Sequence, residues 1–482
     1  MRVLFTVYPS FAHLWPIVPC AWALQSAGHE VRVATHASFA DAVAGVGLSP
    51  VGLGDPNANE ARMRPDAKAP PGPEDVLRYA EVLGLDEEGR EHWIAFYQYL
   101  LNAVSDYVRT DLPDASDLVS FAKVWKPDLV IWDPTFASGP VAARACGAAH
   151  ARFLMGPDCF AWSMDKLAER RAELQAAGLS ENPQADLVRP LAEKYGIEVD
   201  DELMYGQWSI DPLPPGLGLP NSSTRISMRY VPYSGTETLP EWLYEQPERP
   251  RIALTLGEST RRFIKGDWGR TPAIMEAVAD LDVDVIATLN ELQMDGVGTL
   301  PANVRRIEWV PLTYLLPTCS AIIHHGGMGT FAASIAFKVP QIVCDTDESL
   351  LIRAVEEEPS AGLCPRCAGA GDQGALDSGT YRVGWEFGVR EEAREKVTQW
   401  EMPAKKLEST PTANYVLGRG NGVRLDHRTQ SVDEIRKSIL QVVTEPAFQD
   451  GTEAAYQEWL SRPSPHEIVP MLEKLTEANR RR

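Results

Sequence analysis

Short apolar runs alternate with helical periods along the whole chain. Residues 3–7 are apolar, residues 16–27 follow with helical spacing closed by Gly28, and residues 31–34 are apolar again, which predicts a β-α-β unit. Residues 128–132 predict another buried strand. The second half repeats the pattern, with strands predicted at 252–256, 285–288, 307–310, 321–323 and 341–343. Apolar strands separated by helices imply parallel sheets covered on both faces. Two such sets imply two doubly wound, Rossmann-like α/β domains. The Pro- and Gly-rich stretch Pro212, Leu213, Pro214, Pro215, Gly216, followed by residues 231–235, is the natural linker between them. Ligands in such sheets sit beyond the carboxyl ends of the strands, so the chemistry is expected in a cleft faced by both domains.

Composition narrows the class. At 482 residues with 44% hydrophobic content, the chain is too long for one ordinary core, in keeping with two domains. No run approaches the roughly 18 apolar residues of a membrane span, and residues 1–5 lead into a strand without a cleavable signal pattern, so a cytoplasmic location away from membranes is expected. A formal charge of −21, from 46 basic and 67 acidic residues, argues against a nucleic-acid partner, because phosphate backbones demand a concentrated basic surface. Seven cysteines spread over this length read as buried thiols of a reducing compartment. Only Cys364 and Cys367 have ligand spacing, and a lone Cys-x-x-Cys falls short of the roughly four ligands of a structural zinc site.

The candidate chemistry lies at two strand ends. The run His324, His325, Gly326, Gly327, Met328, Gly329, Thr330 follows an apolar strand and opens a helical segment. Glycines let backbone N–H groups approach an anion closely, a helix N-terminus offers it partial positive charge, and a neighbouring His adds a direct hydrogen bond. A phosphate cradle is the reading; a glycine-rich turn with one packed histidine is the structural alternative. His13 is placed on the loop after the first strand, where an imidazole of ordinary pKa about 6.5 can serve as a general base. Asp133 emerges at the same sheet edge after residues 129–132 and can hold that ring in one tautomer. Capping or packing is the alternative for both.

These residues carry a resemblance. The chain resembles nucleotide-sugar glycosyltransferases of the GT-B fold, and within them the antibiotic glycosyltransferases that attach deoxysugars to macrolides and other polyketides. It is similar to those aminosugar transferases that need a cytochrome-P450-like helper protein. The resemblance runs through RACGAAHARFLMGPD at 144–158, IDPLPP at 210–215, MRYVPYSG at 228–235, LTLG at 254–257, LLPTCSAIIHHGGMGT at 315–330, and residues 463–475. It implies an acceptor domain at 1–230, a nucleotide-sugar domain at 231–462, and a final helix at 463–482 packing back on the first.

The roles it implies fall on matching positions. His325 matches the phosphate-binding histidine, with amides around Gly327, Gly329 and Thr330 completing the diphosphate site. Gly257, Glu258 and Ser259 match a loop beside the phosphates, and Trp309 and Val310 the segment that meets the nucleoside base. His13 matches the catalytic base of inverting members and Asp133 its carboxylate partner. Asp347, with Glu348 beside it, fits the acid placed against donor-sugar hydroxyls. The implied donor is a thymidine-diphosphate sugar used without a metal; the partners are an apolar aglycone and a helper protein, and a homodimer stays open. Asp345, Thr346, Asp347 is the one Asp-x-Asp near the donor position, read as a sugar contact beside a surface acid. A sugar-nucleotide epimerase or hydrolase, or a non-catalytic nucleotide-binding homologue, stays open as the alternative.

One departure from the family is an insertion at about 363–425, read as a lid, a docking element or a surface elaboration. On the acceptor side Trp93, Phe96, Tyr97, Tyr99, Phe160, Trp162 and Trp208 either line an apolar pocket or form buried helix faces.

Overall fold

The computed structural model describes residues 1–56, 73–97, 104, 107–110, 112–257, 271–290, 292–294, 296–346, 350–357, 382–387, 397–402, 409–427 and 429–481. The chain divides into two compact units, Met1–Tyr230 with Arg462–Arg482, and Val231–Ser461. Among the described residues no helix is long and apolar enough to cross a membrane.

The first unit is built on seven parallel strands: β1 (Arg2–Thr6), β2 (Glu30–His36), β3 (Ser49–Leu53), β4 (Leu129–Trp132), β5 (Ala149–Phe153), β6 (Trp208–Asp211) and β7 (Arg225–Ser227). Their order is β3-β2-β1-β4-β5-β6-β7. Strand order reverses between β1 and β4, the crevice where doubly wound sheets place ligands. Helix α1 (Phe11–Ser26) leaves β1 and starts earlier than the apolar period suggests. Ser10 caps it, its hydroxyl accepting from Ala12 N–H at 3.3 Å. His13 therefore belongs to the first helical turn rather than to a loop, a correction that fixes its ring on a rigid element.

The second unit repeats the plan with six parallel strands: β8 (Arg251–Thr255), β9 (Asp284–Thr288), β10 (Val304–Ile307), β11 (Ala321–His324), β12 (Gln341–Asp345) and, later in the chain, β16 (Gly422–Asp426). Their order is β10-β9-β8-β11-β12-β16, with the reversal between β8 and β11. Ile252, Leu254, Ile323 and Ile342 feed one apolar layer with Ile435 and Ile439, while Ala253, Ile286 and Ile322 feed the other with Leu315 and Leu316. The near-continuous apolar strands are thus explained by two covered faces.

Two expectations need correction. The strand predicted at 307–310 is Val304–Ile307, because β10 is an edge strand that tolerates exposed Arg305 and Arg306. The expected insertion at about 363–425 ends too late. Helix α3 (Ser409–Arg419) and β16 belong to the six-stranded sheet, with Gln341 paired to Gly422 and Asp345 to Asp426. Gly418, Gly420 and Gly422 mark the passage from α3 to β16: Gly420 has φ +66°, and a Cβ on Gly422 would lie 1.8 Å from the Gln341 carbonyl oxygen. Between β12 and α3 the described residues include a separate antiparallel sheet, β14-β13-β15, of β13 (Leu350–Glu357), β14 (Arg382–Phe387) and β15 (Val397–Met402). Cys364 and Cys367 lie outside the described residues.

The last helix, α4 (Pro465–Asn479), belongs to the first unit. Arg480 pairs with Asp128 at 2.7 Å, and Glu473 lies 3.0 Å from His29 Nε2.

Candidate active site

In the first unit, His13 and Asp133 come together at the reversal point. His13 Nδ1 lies 2.5 Å from Asp133 Oδ2; the histidine side chain is 23% exposed and the carboxylate is buried. Oδ2 also accepts the Tyr8 N–H at 3.2 Å, while Oδ1 accepts the Thr135 N–H at 2.9 Å and hydroxyl at 2.8 Å. Burial works to raise the Asp133 pKa. The His13 charge and hydrogen bond, with both Thr135 donors, outweigh it and hold the carboxyl below its ordinary value. An ionised carboxylate only accepts, so Nδ1 carries a proton in either state of the ring, and when the ring is neutral its lone pair sits on Nε2. The partly exposed imidazole is thereby set up to take a proton from a ligand at Nε2. The Tyr8 ring lies 5.3 Å from the His13 ring, Tyr107 lies 5.5 Å beyond it, and Phe136 stacks on Tyr107 at 4.2 Å.

In the second unit, the chain turns from β11 into helix α2 (Met328–Ala336) through His325, Gly326 and Gly327. Gly326 has φ +88°, open to glycine at little cost. Gly327 is the N-cap; no side chain caps α2, and its first turn carries no acid. Its leading amides therefore present partial positive charge that no acid of the helix's own first turn offsets. The His325 ring rests between two glycine backbones. A Cβ on Gly257 would lie 2.6 Å from its Cε1 and Nε2, and one on Gly327 only 2.2 Å from Nε2. Gly257 follows β8 and has φ +90°, so the two loops at this reversal point meet on one imidazole. Gly329 is exposed and Thr330 half-buried in the first turn of α2. Helix amides beside a histidine form an anion site.

His324 is fully buried. Its Nδ1 accepts the Gly326 N–H at 3.1 Å, which puts the ring proton on Nε2, donating to Gln341 Oε1 at 3.0 Å. Burial brings its pKa down to about 4 despite the Gln341 bond, so the ring is neutral. The sequence reading assigned this histidine no role. The available signal was its position: it ends an apolar strand on the buried register, so the doubled histidine points one ring inward and one toward the turn.

The remaining candidates divide. Trp309 is half-buried just past β10, at the carboxyl edge of the sheet. Val310 packs into the core with Leu243, Ala253 and Ile286, so only its backbone is left to meet a base. Asp345 is no surface acid: it is 2% exposed, pairs with Arg424 Nε at 2.8 Å, and accepts from Ser409 Oγ at 2.9 Å and Thr410 Oγ1 at 3.1 Å. Those bonds tie β12 to α3 and β16. Ser259, Asp347, Glu348 and Tyr99 lie outside the described residues. The other six aromatics of the acceptor side are buried: Trp93 packs on Tyr97 at 4.6 Å and Phe96 on Phe160 at 5.2 Å, and Phe160 also lines a cavity with Val104, Trp132 and Val188.

Residues 22–257 match the family described as Erythromycin biosynthesis protein CIII-like, N-terminal domain, and residues 272–393 match its C-terminal domain. The chain is 34% identical over 486 residues to 10-deoxymethynolide desosaminyltransferase of Streptomyces venezuelae, covering 100% of this chain and 98% of that protein. It is 32% identical over 490 residues to aclacinomycin-T 2-deoxy-L-fucose transferase of Streptomyces galilaeus, covering 100% and 97%. Among solved structures, spinosyn forosaminyltransferase SpnP matches with TM-score 0.70 and 31% identity over 99% of both chains. The glycosyltransferase VinC, solved in complex with dTDP, matches with TM-score 0.71 and 29% identity over 99% of this chain and 100% of that one. The chain belongs to the erythromycin CIII-like family and is a glycosyltransferase of the GT-B fold, with two parallel-sheet Rossmann-like units.

Proposed function

We propose that the enzyme transfers a deoxysugar from a thymidine-diphosphate donor to a hydroxyl of a polyketide-type aglycone, inverting the anomeric centre. The observation that carries this reading is the His13 to Asp133 pair, a partly exposed imidazole on a buried, ionised carboxylate at the reversal point of the first sheet. Nε2 of His13 takes the acceptor proton. The oxygen attacks the anomeric carbon as its bond to the diphosphate breaks, and that electron pair leaves on the diphosphate oxygen. The amides of Gly327, Gly329 and Thr330, with His325, stabilise the departing charge. Trp309, just past β10, is the residue proposed to meet the base, and Asp347 and Glu348 are the acids proposed for the sugar hydroxyls. The names of the two relatives above describe desosaminyl and 2-deoxy-L-fucose transfer, and VinC binds dTDP, which supports a thymidine-linked deoxysugar.

The reading extends to cytoplasmic turnover without a divalent metal, an organisation in domains 1–230, 231–462 and 463–482, and a cytochrome-P450-like helper as partner, with a homodimer as a second assembly to weigh. Incubation with a thymidine-diphosphate deoxysugar and a polyketide aglycone tests it by product analysis. One inverted glycoside per thymidine diphosphate is expected, unaffected by chelator. Nucleotide release without loss of aglycone favours a hydrolase instead, and full turnover by the purified chain alone removes the helper from the reading.

A further inference from the structure

Both backbone polar groups of Gly326 are held by buried side chains, one from the end of β11 two residues before it and one from α3. Its N–H donates to His324 Nδ1 at 3.1 Å, and its carbonyl accepts from Thr412 Oγ1 at 2.8 Å. His324 and Thr412 are each 0% exposed. His324 is steadied in turn by Gln341 of β12, and Thr412 lies in the first turn of α3. The turn has no slack on its other side, since a Cβ on Gly326 would lie 2.6 Å from the Ser409 Cα. Strand β12, helix α3 and the end of β11 thus converge on the two peptide groups that flank the Gly326 Cα, and these decide where His325 and the leading amides of α2 point.

We propose that His324 and Thr412 are positioning residues of the donor diphosphate site: they clamp Gly326 in its left-handed conformation and so aim His325 and the α2 N-terminus at the diphosphate. The inference rests on the donor-site reading given above. Neither side chain touches the anion. A packing role asks only for volume at position 324, whereas the clamp asks for an acceptor two residues before the Gly326 N–H. The neutrality of His324 follows from the same geometry, because a protonated ring has no lone pair for that N–H.

Two substitutions separate the readings. Asn at 324 can place Oδ1 where Nδ1 stands, whereas Gln reaches toward Gln341 and leaves the Gly326 N–H unpaired. Calorimetric titration of the full chain with thymidine diphosphate is expected to give His324→Asn within about threefold of wild type and His324→Gln roughly tenfold weaker, the scale of one lost hydrogen bond. Thr412→Val should weaken binding several-fold, with Thr412→Ser restoring it. In turnover the donor KM should rise while kcat at saturation holds. The clamp is overturned if Asn and Gln weaken binding alike, or if kcat falls with KM unmoved. Should both position-324 variants fail to fold, the Thr412→Val and Thr412→Ser pair decides: equal binding overturns the clamp and a Val-specific loss supports it. Wild type that binds no thymidine diphosphate removes the donor-site reading and the clamp together. Tight wild-type binding with indistinguishable variants removes the clamp alone.

Discussion

The two reversal points use one topology for opposite chemistries. In each unit the loop after the first strand meets the loop after the strand on the far side of the order reversal, β1 with β4 and β8 with β11. In the first unit these loops deliver two side chains, a histidine and a buried carboxylate carrying four donors. In the second they deliver backbone, with glycines at 257, 326 and 327 letting amides and one imidazole crowd together. A proton acceptor needs a tuned lone pair, and that requires side chains. A diphosphate needs several donors at short range, which a helix N-terminus and glycine turns, free of side chains that would block the approach, supply from the backbone. The sheet provides the place and the loops provide the chemistry.

The largest expected break in this comparison is His13→Ala. Loss of a general base should lower kcat by about 10²–10⁴-fold, read in steady-state turnover, with thymidine diphosphate affinity unchanged. Asp133→Asn comes next and should also act on kcat, because the ring loses its fixed tautomer. That variant sharpens the electrostatics as well. Asp133 has a folded pKa below the ordinary value, so its contribution to stability is complete above about pH 4 and is lost as pH falls through the folded value. The stability gap between wild type and Asp133→Asn in denaturant titrations should therefore close in acid.

On the donor side, His325→Ala should weaken thymidine diphosphate binding by roughly 1–3 kcal/mol, the loss of a hydrogen bond to a charged group. Gly327→Ala should do comparable damage by displacing the ring, since its Cβ would fall 2.2 Å from His325 Nε2. The smallest effect concerns His324. Its folded pKa of about 4 lies below the ordinary histidine value near 6.5, so its stabilising contribution is complete above that value and declines as pH falls from about 6.5 toward 4. His324→Asn should flatten unfolding profiles in that window.

Much of the architecture was legible because parallel sheets covered on both faces write themselves as continuous apolar runs. The exceptions have physical causes. The β10 strand carries two exposed arginines that an edge strand accepts, so its apolar signal falls in the following residues, where Val310 enters the core. Helix α1 begins at Phe11, behind a Ser10 cap and five residues before the apolar period becomes clear at residue 16, which moved His13 from loop to helix. The late end of the insertion falls at the glycines of 418–422, because glycine marks both a chain break and a close strand approach, and only the pairing of Gln341 with Gly422 separates the two. At the site, the histidines and glycines were visible as residue types. What sequence could not supply was the bookkeeping of Gly326: its partners His324 and Thr412 stand 88 residues apart, and Asp345 spends its charge on Arg424 rather than on a ligand.

The most direct test of the divided labour is a crossed titration: thymidine diphosphate binding measured calorimetrically for wild type, His13→Ala and His325→Ala, alongside turnover of the same preparations. The account predicts wild-type affinity with lost turnover for His13→Ala, and weakened affinity for His325→Ala. Nucleotide binding that depends on His13, or that ignores the loss of His325, would contradict it.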